Sequence, residues 1–178
     1  IDVPGVALTG YNETSNGARR NVNRSGIVRT GIDVLAATGF THLRGKRVGL
    51  ITNHTGLTAD GKRNIDVMRA GGVNLVALFS PEHGISGTED HEDVGDAKDP
   101  ASGVPVYSLY KGKQRTPNPE MLQKVDVIVF DIQDIGARFY TYVCTLKNTM
   151  EAVAKLGMPI VVLDRPNPIN GVRVEGPI

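Results

Sequence analysis

The chain has 178 residues, 40% of them hydrophobic and 22% charged, which is the composition of one ordinary globular domain with a sizeable core. A formal net charge of +1 gives no electrostatic case for nucleic acid or an anionic membrane, and no apolar run approaches the length of a membrane span. Cys144 is the single cysteine, so an intrachain disulfide is excluded; its place in a predicted helix marks it as a small core residue.

The first residue is Ile, and residues Tyr11 to Arg29 are rich in Asn, Ser, Gly and Arg; they read as a flexible leader of the kind that follows a removed secretion signal. A cytoplasmic tail would have the same composition. Ile32, Leu35 and Ala36 then define a short helix begun by Thr30 and stopped by Gly39. Arg47 to Thr52 is the first apolar strand. Ile65, Val67 and Met68 lie in a helix ended by Gly71-Gly72, and Asn74 to Phe79 is the second strand. Val104 to Leu109 is the third. Pro119 suits the first turn of a helix through Met121 and Leu122. Val125 to Phe130 is the fourth strand, interrupted only by Asp126. The longest helix is expected over about Phe139 to Leu156, with Phe139, Val143, Leu146, Met150, Val153 and Leu156 on its buried face and Gly157 after it. Pro159 to Leu163 is the last strand. Strands alternating with helices predict an α/β fold: a parallel sheet of about five strands with helices on both faces. Val172 to Ile178 reads as extended chain, which predicts that the natural protein continues.

Four of these strands deliver polar groups at the same end. Asn53 and His54 follow the first, and Ser80-Pro81-Glu82-His83-Gly84 follows the second. Asp131, Gln133, Asp134, Arg138 and Tyr140 follow the fourth, and Asp164-Arg165 follows the fifth. In an α/β sheet these loops line the ligand crevice. Glu82, on a Pro-initiated loop before His83 and Gly84, is the leading catalytic carboxyl, although a lone surface glutamate is the commoner case. His83 either takes part or only orients its neighbour. Asp131 at a strand end caps amides or serves the site. Arg138 is expected at a helix start, where the dipole disfavours a cation unless an anion meets it. Asp164-Arg165 is read either as site residues or as a local ion pair.

Two motifs carry less. Gly56-Leu57-Thr58-Ala59-Asp60-Gly61-Lys62-Arg63 has the glycine and lysine spacing of a phosphate loop, but Arg63 stands where the Mg²⁺-binding hydroxyl belongs. A polar turn feeding a helix is the plainer reading. The acidic run Glu89 to Asp96 is a solvated loop, a flap over the crevice, or, with His83 and His91, a cation site; no regular ligand spacing supports the last. No metal or cofactor is assigned.

Five ordered blocks then carry a resemblance: residues 45–53, Ser80-Pro81-Glu82-His83-Gly84, residues 105–110, residues 130–142, and Leu163-Asp164-Arg165-Pro166-Asn167-Pro168. Together they resemble the bacterial exo-β-N-acetylmuramidase family (NamZ/YbbC-like), long described only as a domain of unknown function. The likeness runs from about Gly31 to Ile178. It implies a Rossmann-like N-terminal catalytic domain over residues 30–178, behind a leader over residues 1–29, with a C-terminal domain expected elsewhere in the same protein. It also implies a secreted or periplasmic glycosidase that removes terminal N-acetylmuramic acid from the non-reducing end of peptidoglycan fragments, with Glu82 at the position of the family's leading catalytic candidate.

Glycoside cleavage needs two carboxyl groups; Glu82 is one, and Asp131, Asp134 or Asp164 is the other. Arg138 or Arg165 would pair with the lactyl carboxylate of muramic acid. The catalytic candidates are therefore Glu82, His83 and Asp131. The substrate-binding candidates are Asn53, His54, Gln133, Asp134, Arg138, Tyr140, Asp164 and Arg165. The rivals are a non-catalytic module that binds a cell-wall sugar or peptide, and a metal-dependent hydrolase built on His83 and the acidic run.

Overall fold

The computed structural model describes residues 28–87, 97–112, 115–169 and 176. The first element among the described residues is helix α1 (Gly31–Ala37), where Asp33 turns its carboxylate back to accept from both the amide and the hydroxyl of Thr30. This closes the first turn as the sequence predicts. A 3₁₀ turn over Thr41–Leu43 leads into β1 (Arg47–Thr52). Then come α2 (Asn64–Ala70), β2 (Asn74–Ser80), β3 (Ala97–Lys98) and β4 (Pro105–Ser108). The remainder is α3 (Pro119–Leu122), β5 (Val127–Asp131), α4 (Tyr142–Ala154) and β6 (Ile160–Val162). Pro119 does occupy the first turn of α3, and Asn118 Oδ1 caps it by accepting from the Met121 amide at 2.9 Å.

The six strands lie in the order β3-β4-β2-β1-β5-β6. Five are parallel, as expected. The sixth, β3, pairs antiparallel with β4 and is too short to leave a sequence signature. Alternation along the strands sends Val48, Leu50, Val127 and Val129 to one face, with Ile32 and Leu35 of α1 and Ile65 and Met68 of α2. Ile51, Phe79, Ile128 and Phe130 face the other way, with Leu122 of α3 and Tyr142 and Val153 of α4. The chain leaves β1 toward β2 on one side and leaves β5 toward β6 on the other. The strand order therefore reverses between β1 and β5, which is where a crevice opens in such sheets.

Helix α4 corrects two expectations. It begins at Tyr142, not at Phe139, so Arg138 lies in the turn before the helix and not at its start. Its buried face is Tyr142, Thr145, Thr149 and Val153, whereas Val143, Phe139 and Leu156 are exposed. The threonines go inside at low cost because their hydroxyls bond within the helix: Thr149 Oγ1 donates to the Thr145 carbonyl at 2.8 Å, and Thr145 Oγ1 to the Thr141 carbonyl at 3.2 Å. Periodicity of apolar residues alone misses such a face. Cys144 is exposed, not a core residue. Most of the expected leader, the acidic run from Glu89 to Asp96 and the segment from Val172 lie outside the described residues, Gly176 excepted.

Candidate functional site at the carboxyl edge of the sheet

At the carboxyl edge the core gives way to a buried polar row. Ser108, Ser80, Thr52 and Asp131 are neighbours across β4, β2, β1 and β5, and none has any solvent exposure. Asn64, the first residue of α2, reaches this row from one face. Its Nδ2 donates to Asp131 Oδ2 at 2.7 Å and to Thr52 Oγ1 at 2.8 Å. Thr52 in turn donates to the Asp131 carbonyl at 2.9 Å. Gly56 is required for this approach, because a Cβ there would overlap Asn64 Nδ2 and Thr52 Oγ1.

Asp131 is also held by Arg165 in a fork: Nε donates to Oδ1 at 2.7 Å and Nη2 to Oδ2 at 3.0 Å. The Arg165 side chain is 7% exposed and that of Asp131 0%. The ion pair read locally as Asp164-Arg165 is therefore replaced by a long-range one, and Asp164 is left exposed with its carbonyl accepting from the Gly31 amide. The pair ties the loop after β6 to the end of β5. Both oxygens of Asp131 are occupied and its carboxylate does not reach the crevice surface.

The loops after β1, β2 and β5 meet above this floor. Asn53 is 4% exposed; its Oδ1 accepts from the amide and hydroxyl of Thr55, and its Nδ2 donates to the Tyr142 hydroxyl at 2.8 Å. Thr55 Oγ1 accepts from the Gln133 amide at 3.0 Å, which binds the β1 loop to the β5 loop. Gln133 Nε2 donates to the carbonyls of Asp134 and Pro166. Asp134 Oδ1 accepts from the Gly136 amide at 2.7 Å in a turn that Gly136 enters at φ +77°, while its buried Oδ2 has no hydrogen-bond partner. Ser80 Oγ is the companion case at the end of β2.

Glu82 is half-buried in the turn that follows β2. Its carboxylate is near enough to act on the Tyr142 hydroxyl, which accepts from Asn53 Nδ2. Burial, the neighbouring Tyr140 and this charge together hold the Tyr142 hydroxyl well above the usual phenol range. The rings of Tyr140 and Tyr142 meet edge to face with centroids 4.8 Å apart. His83 is half-buried with φ 69°, a left-handed conformation that costs a non-glycine residue about 1 kcal/mol or more and that concentrates at functional sites. The exposed His54 ring lies against the backbone of Gly87 at the end of the same turn. Arg138 is exposed and has no ion-pair partner among the described residues.

Tyr142, Asn64, Thr55 and Thr52 were not among the sequence candidates. Tyr142 adjoins the polar run from Asp131 to Tyr140, but its assignment to a helix interior hid it. The phosphate-loop spacing resolves as a turn before α2: Lys62 pairs with Asp60, and Arg63 pairs with Asp66 and Asp99. No group of three or more metal-ligating side chains occurs among the described residues, and no described helix is long and apolar enough to cross a membrane.

A mostly parallel sheet whose strands end in a buried polar row beside the switch point defines an α/β domain, and in such domains ligands bind outside the carboxyl ends of the strands. The chain belongs to the family described as exo-beta-N-acetylmuramidase NamZ, N-terminal, whose profile matches residues 48–178. It is 50% identical over 153 residues to the peptidoglycan beta-N-acetylmuramidase NamZ of Bacillus subtilis (strain 168), covering 85% of this chain and 37% of that protein. Two crystal structures of DUF1343 family proteins from Bacteroides fragilis NCTC 9343 share the fold. One superposes with a TM-score of 0.76 at 51% identity over 83% of this chain, the other with 0.67 at 36% over 80%. The chain spans 37% and 36% of the length of those two.

Proposed function

We propose that this chain is the Rossmann-like, substrate-cleaving part of a glycosidase that removes terminal N-acetylmuramic acid from the non-reducing end of peptidoglycan fragments. The observation that carries the reading is Glu82: a half-buried carboxyl on the loop after β2, its charge felt at the Tyr142 hydroxyl to which Asn53 is bonded. The likeness to the Bacillus subtilis muramidase supports it. In this reading Glu82 gives its proton to the glycosidic oxygen as the bond to the anomeric carbon breaks. Water supplies the hydroxyl at that carbon and, over the cycle, restores the proton to Glu82.

Asp131 is better suited to hold the floor than to do chemistry, because Arg165 and Asn64 occupy it. Asp134, with one carboxylate oxygen unbonded, is the better second carboxyl. Arg165 is committed to Asp131, which leaves Arg138 as the cation for the lactyl carboxylate. A peptidoglycan-fragment substrate fits a protein that works in the periplasm or outside the cell, and a cytoplasmic enzyme acting on imported fragments is the alternative.

The test is turnover of a chromogenic N-acetylmuramic acid glycoside by the full-length protein, with and without chelator. Turnover that survives chelation is the expected result. Binding without turnover would identify a sugar-binding module, and loss of turnover with chelator a metal-dependent hydrolase.

A further inference from the structure

Gln133, a substrate-binding candidate by sequence, has three N–H donors, one on the main chain and two on Nε2. The main-chain amide donates to Thr55 Oγ1 at 3.0 Å, on the loop after β1. Nε2 donates to the Asp134 carbonyl at 2.8 Å and to the Pro166 carbonyl at 2.9 Å, on the loops after β5 and β6. A carbonyl can only accept, so the side-chain amide cannot be turned over: Nε2 faces the two carbonyls and Oε1 is turned away from them. All three donors are therefore used inside the protein, and together they join three of the loops at the carboxyl edge. Asp134 is held at two points. Gln133 holds its carbonyl and the Gly136 amide holds its Oδ1 at 2.7 Å, which leaves the buried Oδ2 unbonded. The segment after β6 packs on the same turn, because a Cβ on Gly136 would overlap Asn167 Oδ1 and Ile169 Cγ1. The bond from Gln133 to Pro166 fastens that segment to the residue directly before Asp134.

We infer that Gln133 is a positioning residue: through its Nε2 bonds to the Asp134 and Pro166 carbonyls it fixes the turn that presents the free carboxylate oxygen of Asp134. The role of Asp134 as second carboxyl rests on the glycosidase reading, but the hold on its turn does not. A side chain kept for the sugar would reserve a donor for it, and Gln133 reserves none. Only Oε1 is left to meet a ligand, and it can only accept. Without the Nε2 donors, the Asp134 and Pro166 carbonyls lose these bonds and the turn loses its side-chain tie to the segment after β6.

The experiment compares Gln133→Met and Gln133→Glu in the full-length protein. Met keeps the length of the side chain and removes its donors. Glu keeps an acceptor oxygen in place of Oε1 but sets a second oxygen against the two carbonyls. Both are expected to lower kcat about tenfold on the muramic acid glycoside, the scale of one lost hydrogen bond, and to leave KM unchanged. Wild-type kcat in Gln133→Glu, or a loss confined to KM, would make Gln133 a sugar contact through Oε1 and overturn the inference. Added to Asp134→Asn, Gln133→Met should cost nothing further, because residues acting as one unit are not additive; losses that multiply would refute the positioning role. Deuterium exchange of the Gly136 amide gives a second reading that needs no turnover. It should quicken about tenfold or more in Gln133→Met while the Leu50 amide in the core stays slow, and an unchanged Gly136 rate would overturn the inference. Absent turnover in the wild-type protein would count against the glycosidase reading, and full turnover in Asp134→Asn against its second carboxyl. In either case the Gly136 exchange would still decide what Gln133 does.

Discussion

Replacing Arg165 with Leu leaves the Asp131 carboxylate in place without its main counter-charge. Asp131 has no solvent exposure and Arg165 is 7% exposed, so water cannot substitute for the lost guanidinium. Of the contacts to its carboxylate oxygens, only the Asn64 amide at 2.7 Å remains. Breaking a buried pair from one side typically costs about 3–5 kcal/mol, because a charge is stranded in the interior. For a domain of this size that corresponds to a fall in Tm of roughly 10 °C. The double change Arg165→Leu with Asp131→Asn removes the stranded charge and should recover a large part of the loss. Urea denaturation of the three proteins, read as a shift in midpoint at constant slope, measures this directly. A loss below about 1 kcal/mol for Arg165→Leu would show that the pair is not the brace described. So would a double variant no more stable than the single one.

Glu82→Gln should leave the denaturation midpoint unchanged and lower turnover about a hundredfold or more, the scale of lost general acid–base catalysis; unaltered turnover removes Glu82 from the mechanism. Arg138→Met should weaken muramic acid substrates far more than N-acetylglucosamine analogues in kcat/KM, and equal losses on both would leave no role for Arg138 with the lactyl group. Asp99 adds a pH dependence. Burial pushes its carboxyl up, but the bonds from Arg63 and Ser102 outweigh burial and hold it at about 2. A carboxyl depressed below its unfolded value stabilises the fold above about pH 4, and that contribution fades as pH falls toward 2. Arg63→Met should therefore flatten stability against pH in that window, and an unchanged slope would contradict the assignment.

The strands were readable because both faces of the sheet are covered, so β1, β2 and β5 are near-continuous apolar runs such as Val127 to Phe130. Glycines and the Thr30 and Pro119 signals marked helix ends for local reasons, and these also held. The buried side of α4 was not readable, since Thr145 and Thr149 satisfy themselves within the helix and look polar only in sequence. Which loops carry polar groups was legible from their position after apolar strands. How those groups pair was not. Arg165 and Asp131 are 34 residues apart, Asn53 and Tyr142 are 89 apart, and Thr55 and Gln133 are 78 apart. A short-range reading could offer only Asp164 as an ion-pair partner for Arg165, because nothing in one sequence reveals a contact that only the completed sheet creates.

Those separations bear on when the crevice comes into being during folding. The β1 loop and the β5 loop are joined only after Val48 to Thr52 pair with Val127 to Asp131, a closure that spans 79 residues. No hairpin and no single βαβ unit holds both halves of the Asn53–Tyr142 contact, so no local segment can form the crevice ahead of the sheet. Turnover would then report the assembled sheet and not any part of it. An intermediate containing only α1, β1, α2 and β2 would carry Glu82 with nothing opposite it.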